Sequence, residues 1–194
     1  MAAIGIVAVL FFVFGRGSSS GAPAPVDMSK LVGLQTGPAP WNPGIDHLPD
    51  RMQPLGLTEI GAEGQGVTLH IHAHLDIFVN GKNEPVPANV GIYNTTGGFL
   101  TDLHTHDTSG VIHIESPKKR KFSLGEFFGV WGVRLTSQCV GGYCKPKMPW
   151  RMYVNGAPYA GDPSMLVLIK HQEIAIVVGK PPKKIPTAYQ FGGL

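Results

Sequence analysis

From Val67 to Asn80 the side chains alternate with a period of two. Ile71, Ala73, Leu75, Ile77 and Val79 occupy one set of positions, and His70, His72, His74, Asp76 and Phe78 the other. Successive side chains of a strand point to opposite faces, so the pattern predicts a half-buried strand with one apolar face and one row of imidazoles. The strand ends at Asn80-Gly81, a dipeptide suited to the two left-handed positions of a type I′ turn. Lys82 onward should then run back antiparallel through Val86 and Val90 to Tyr93, with Pro85 and Pro87 keeping that return strand at an edge.

A second hairpin is expected in LHTHDTSGVIHIE, with its turn at Asp107 to Gly110. That register pairs His106 with Val111 and His104 with His113, so His104, His106 and His113 gather on one face. Six of the eight histidines thus fall between positions 70 and 113, while His47 and His171 stand outside the cluster. One helix follows. Ser123 and Glu126 have capping-box spacing, Phe122 and Phe127 sit at staple positions, and Leu124, Phe127, Phe128 and Trp131 form its apolar stripe up to Gly132. Trp150 to Val154 reads as a strand leading to a turn at Asn155-Gly156, and Met165 to Ile169 and Ile174 to Val178 as two further buried strands. The 26 glycines and 17 prolines add many turns to this pattern. The expectation is an α+β body, mostly antiparallel β with one short helix, arranged as a β-grasp-like sheet.

The ends read differently from the body. Ala2 to Phe14 is an apolar run without a charge, the length of a signal-peptide core and shorter than the roughly 20 residues of a membrane span. Either reading, cleaved signal or retained anchor, exports the body. The organisation expected is a signal or transmembrane anchor at 1–15, a Gly/Pro-rich linker and strap at 16–66, a globular domain at 67–179 and an extended tail at 180–194. One short helical turn is allowed within 46–57. Cys139 and Cys144 flank Val-Gly-Gly-Tyr; with Gly141 and Gly142 at the turn they face each other within disulfide reach. Their spacing is not that of a zinc or C-x-x-C redox pair, and an exported chain favours oxidation.

The stretches HAHLDIFVNGK, LHTHDTSGVIHIESP and FSLGEFFGVWGV, with the Val-Asn-Gly segment at 154, cover most of residues 67–178. On these the chain resembles an uncharacterised group of His-rich, membrane-anchored extracytoplasmic bacterial proteins. The resemblance implies export and a single unit, and no activity.

Imidazole is the commonest protein metal ligand, and three neutral rings converging from adjacent strands can hold Zn²⁺ or Cu²⁺. The preferred trio is His104, His106 and His113, with His70, His72 and His74 available from the first strand. Six imidazoles exceed the needs of one tetrahedral ion. Either two metals bind, or one binds while remaining histidines and Asp76, Asp102, Asp107 and Glu115 orient the ligands. A blue-copper centre is disfavoured because both cysteines are committed to a disulfide. Two readings without a metal stand beside this one: a polar sheet face of mutually hydrogen-bonded rings, and a pH-sensing cluster that loosens in acid.

The formal charge of +3 is too small for a nucleic-acid binder, and the basic run Lys118 to Lys121 reads as a solvated loop or a contact for anionic lipid. Asp107 to Gly110 superficially resembles an aspartic-protease loop, but Ser109 stands where that motif needs glycine. No H-E-x-x-H, G-x-S-x-G or phosphate loop is present. Three function classes survive. The chain is an exported, membrane-tethered metal-binding protein without turnover, which the residues favour; a metal-dependent hydrolase or hydratase with an open coordination position and Asp107 or Glu115 as base; or an accessory subunit of a larger membrane complex.

Overall fold

A computed structural model describes residues 21–61, 66–94 and 97–194. The apolar run of Ala2 to Phe14, and the anchor expected there, lie outside the described residues. Among the described residues no helix is long and apolar enough to cross a membrane. In chain order the strands are β1 (Glu59–Ile60), β2 (Leu69–Val79), β3 (Lys82–Asn83), β4 (Ile92–Tyr93), β5 (Phe99–Thr101) and β6 (Leu103–His104). Then follow β7 (Val111–Ser116), β8 (Cys139–Val140), β9 (Tyr143–Cys144), β10 (Trp150–Val154), β11 (Ala157–Tyr159) and β12 (Gln172–Val178). The α-helices are α1 (Leu48–Leu55) and α2 (Leu124–Trp131). The fold is α+β, with strands in three sheets.

A seven-stranded sheet runs β11-β10-β12-β2-β7-β6, with β3 also paired to β2. Its pairs are antiparallel except the central one, where β12 lies parallel to β2 in a register that sets Glu173 beside His74. Parallel neighbours need a long crossover, and here the chain supplies it through β7, α2 and the hairpins before β12. A smaller sheet runs β1-β5-β4, and β8-β9 forms a separate hairpin. There Cys139 pairs with Cys144 across the Gly-Gly turn and the two are joined by a disulfide.

Ala73, Leu75 and Ile77 of β2, Ile112 and Ile114 of β7, and Ile174, Ile176 and Val178 of β12 share one apolar core with Phe127, Phe128 and Trp131 of α2. Helix α2 starts as its sequence predicts. Glu126 N–H donates to Ser123 Oγ (3.2 Å) and Ser123 N–H donates to Glu126 Oε2 (2.7 Å). Gly132, at φ 70°, ends it. All eight residues of α2 are buried, including Gly125, Glu126 and Gly129, so no face is left for solvent. A Cβ at Gly129 would come within 2.7 Å of Leu55, which places α1 on the side that a one-helix fold would leave open.

Helix α1 corrects the expectation of one helix. Pro49 falls in its first turn, where a missing N–H costs nothing, and Gly56 closes it in the left-handed region at φ 64°. The return strand predicted from Lys82 to Tyr93 is also corrected. It stops at Asn83, because Pro85 and Pro87 cannot donate to a ladder; Val86 and Val90 enter the core from a loop, and Ile92–Tyr93 joins the smaller sheet. His104 pairs with His113 as expected, but the strand ends there, so His106 and Val111 form no ladder pair. Met165 to Ile169 is not a strand: a 3-10 turn covers Pro163–Met165, and Val167 makes a single bridge to Ser123. The partner of β10 at that edge is β11, across Asn155-Gly156.

Both flanking segments touch the body. Trp41 packs edge-on against Trp131 at 5.6 Å, and Trp131 Nε1–H donates to Asn42 O (2.8 Å). In the tail, Tyr189 stacks on His74 at 3.9 Å and Phe191 on His171 at 4.6 Å. Arg51 ties the strap to the core. Fully buried, it donates from Nη1 to Val32 O (3.2 Å) and from Nη2 to Gly44 O and to Val130 O (2.9 Å). Burial brings its guanidinium down to about 10, with Asp50 opposing, so it stays cationic beside the C-terminal carbonyls of α2. Replacing Arg51 by Met should therefore cost about 3 kcal/mol, because the buried Val130 carbonyl and the part-buried carbonyls of Val32 and Gly44 lose their donor. Urea unfolding monitored by circular dichroism reads this as a lowered midpoint at unchanged slope; an unmoved midpoint would contradict the tethering role.

Candidate metal centre

The sheet register lines up three imidazoles. His113 on β7 lies directly across from His72 on β2 and from His104 on β6, so the three rings form one row over three strands. Two residues along, Glu115 pairs with His70 and extends the same face. Pairing of this kind holds neighbouring Cβ atoms about 4.5–5.5 Å apart, which brings ring and carboxylate ends within ligand range of one another.

His104 forms the floor. It has no exposure to solvent, and its Nδ1–H donates to Thr101 O (2.9 Å), which fixes the tautomer with Nε2 as a bare lone pair. That Nε2 is buried, has no hydrogen-bond partner among the described residues, and lies 3.7 Å from Glu115 Oε1. Glu115 Oε1 is also 3.3 Å from His113 Nδ1 and 3.2 Å from His70 Nε2. His106, exposed at the mouth, stands edge-on to His104 and His113 with ring centroids 4.9 and 4.5 Å away. One ligand atom from each of His104, His106, His113 and Glu115 lies within 4.8 Å of the others. Donors bound to a tetrahedral Zn²⁺ at about 2.0–2.1 Å are roughly 3.3 Å apart, so the contacts around Glu115 already approach the edges of such a polyhedron.

A second group shares His113. His72 Nε2 is 3.1 Å from His113 Nδ1 and 3.1 Å from His70 Nε2. Burial lowers the pKa of His72, with the neighbouring His70 adding to it. Burial likewise takes His104 down to about 4, and burial together with His106, His72 and His70 takes His113 to about 4. These rings are therefore neutral at physiological pH, the form that binds a metal.

His74 stands apart from this group. Its Nε2–H donates to Ser109 O (2.8 Å), and its Nδ1 lies 2.8 Å from Glu173 Oε2 and 3.9 Å from Asp76 Oδ2. Burial opposes the charged imidazole, but the Glu173 carboxylate and the Ser109 carbonyl outweigh it and raise the His74 pKa. Burial raises the Glu173 carboxyl, with the His74 hydrogen bond opposing. Asp107 is turned to Ser109 instead: its Oδ1 accepts from Ser109 N–H (2.8 Å), and hydrogen bonding from the Ser109 side chain, then from its backbone, lowers the Asp107 pKa. Asp102 is buried and accepts from Thr58 N–H. His47 pairs with Asp50 on the surface at 3.3 Å, and His171 Nε2–H donates to Leu194 O (3.1 Å).

Glu115, expected only to orient ligands or act as a base, thus lies at ligand distance. Glu173, Thr101 O and Ser109 O were missed by sequence reasoning. Glu173 carried a signal, being a charge at the head of the apolar run Ile174 to Val178, but its partner depends on the parallel pairing of β12 with β2.

The low His104 and His113 values fix the sign of a pH effect in chelator-treated protein. The unfolded chain takes up these protons near 6.5 and the folded chain only near 4. Stability is thus fully present above pH 6.5 and falls as pH drops from 6.5 to 4. Thermal melts across that window should show a falling midpoint, with a shallower fall in His113→Asn; equal slopes in the two proteins would contradict the assignment. Comparison with protein-family models, with curated proteins and with solved structures finds no match for this chain.

Proposed function

We propose that this chain is an exported, membrane-tethered metal-binding protein that holds Zn²⁺ or Cu²⁺ on its sheet face through His104, His106, His113 and Glu115. The observation that carries the reading is the bare Nε2 of His104, a buried lone pair with no partner that points to a cluster of ligand atoms. Leaving such a group unsatisfied costs roughly 1–3 kcal/mol, which a cation at that position would recover. The Nδ1–H bond to Thr101 O is the orienting contact that metal-bound histidines characteristically make through their second nitrogen. His70 and His72 flank this site and share His113 with it.

Nitrogen-rich coordination suits zinc and copper, and the disulfide removes both cysteines as competing thiolate ligands. The same disulfide points to an oxidising location, which supports export; the apolar run Ala2 to Phe14 supports the tether. The central parallel pair flanked by antiparallel strands, with α2 on the core face, supports the β-grasp-like reading of the sheet. A hydrolase would keep its base one water away from the ion. Glu115 Oε1 at 3.3 and 3.7 Å from ring nitrogens favours a ligand over that role.

The test is elemental analysis of chain purified without a histidine tag and dialysed against Zn²⁺ or Cu²⁺. At least one equivalent should be retained, and His104→Ala and His113→Ala should each weaken its binding at least tenfold. Unchanged retention in both variants would overturn the assignment.

A further inference from the structure

The group around His74 is chemically unlike the row beside it. Parallel pairing of β12 with β2 puts Glu173 next to His74, and Asp76 follows His74 on the same face of β2. One ligand atom from each of His74, Asp76 and Glu173 lies within 4.8 Å of the others. Glu173 is 1% exposed, and its Oε1 is buried without a partner. His74 is held by the Ser109 carbonyl at Nε2, which leaves Nδ1 facing the two carboxylates. Gly110 permits that approach: a Cβ there would lie 3.1 Å from His74 Nε2 and 2.5 Å from Leu75 O. On its ring face His74 is covered by Tyr189 at 3.9 Å, with the two planes 12° apart.

We infer that His74 Nδ1, Asp76 Oδ2 and the Glu173 carboxylate form a second cation site, taking an oxygen-preferring divalent first-row ion of the Mn²⁺ class. The unpartnered oxygen of Glu173 supports it. A buried polar atom left without a partner is costly, and an ion held between the Glu173 and Asp76 carboxylates and His74 Nδ1 would satisfy it. Two oxygens and one nitrogen make a harder donor set than the three imidazoles and one carboxylate at His104, so the two positions select different metals. The Ser109 carbonyl plays for His74 the part that Thr101 plays for His104. Tyr189 closes the site on the tail side, which makes ion exchange slow relative to the open mouth at His106.

The experiment is a titration of the full chain with Mn²⁺, read by loss of the six-line electron paramagnetic resonance signal of the aqueous ion. Wild type should bind one equivalent, and Asp76→Asn and Glu173→Gln should each weaken it at least tenfold. Outside the cluster the Asp76 side chain accepts from the exposed Asn83 Nδ2 (3.0 Å), so Asp76→Asn keeps the test informative if Glu173→Gln fails to fold. Mn²⁺ binding that persists in Asp76→Asn, or that vanishes in His104→Ala instead, would overturn the inference. Absence of Mn²⁺ binding where Zn²⁺ is still retained would overturn this site alone; absence of both would also overturn the His104 reading.

Discussion

Everything at the candidate centre depends on the lateral register of three strands. The row His104–His113–His72 exists because β6, β7 and β2 pair with those residues directly opposite one another. A slip of one residue along β7 would turn His113 to the core and put Ile112 or Ile114 on the polar face. The apolar side prevents that slip. Ile112 and Ile114 are fully buried with Leu75 and Ile77 in the shared core, so moving the imidazoles would expose the residues that hold the sheet together. Hydrophobic burial on one face thus fixes the position of polar groups on the other.

The polar face is itself largely covered, and this gives the imidazoles their chemistry. His72, His74 and His104 are buried, and desolvation disfavours their charged forms. Where a carboxylate contacts the ring directly, as Glu173 does His74, the charged form is recovered. Where the contact is longer, as for His104 and Glu115, it is not. Two neighbouring parts of one sheet therefore shift their imidazoles in opposite directions, Glu173 and the Ser109 carbonyl raising His74 while burial lowers His104. The strap, locked by Arg51 to the end of α2, and the tail, stacked on His74 through Tyr189, close the two sides of the body.

Periodicity made the local elements legible. β2 and β7 follow their alternation, β10 and most of β12 form strands where expected, the Asn-Gly turns take positive φ at both residues, and the Ser123–Glu126 box starts α2. The His104–His113 pair and the Cys139–Cys144 bond followed from turn register alone. Long-range partners did not. Nothing local to Glu173 announces that β12 lies parallel to β2, and nothing local to DHLPDRMQPLGL announces that α2 needs a helix over Gly129. The edge strand β11 was hidden behind Pro158, and the run Met165 to Ile169 has strand-like residues yet meets the chain at 122–124 through one bridge, Val167 to Ser123, rather than a ladder. Spacing groups His74 with the other histidines, although its partners come from β12 and from the turn before β7.

The central claim is that the bare nitrogen of His104 is a metal ligand. X-ray absorption at the metal edge of zinc-loaded or copper-loaded protein examines that claim most directly. The account predicts a first shell of nitrogen and oxygen only, near 2.0–2.1 Å for zinc, with the outer-shell scattering of about three imidazoles and a reduced imidazole count in His104→Ala. A shell dominated by water oxygens, or an imidazole count that is the same with and without His104, would contradict it.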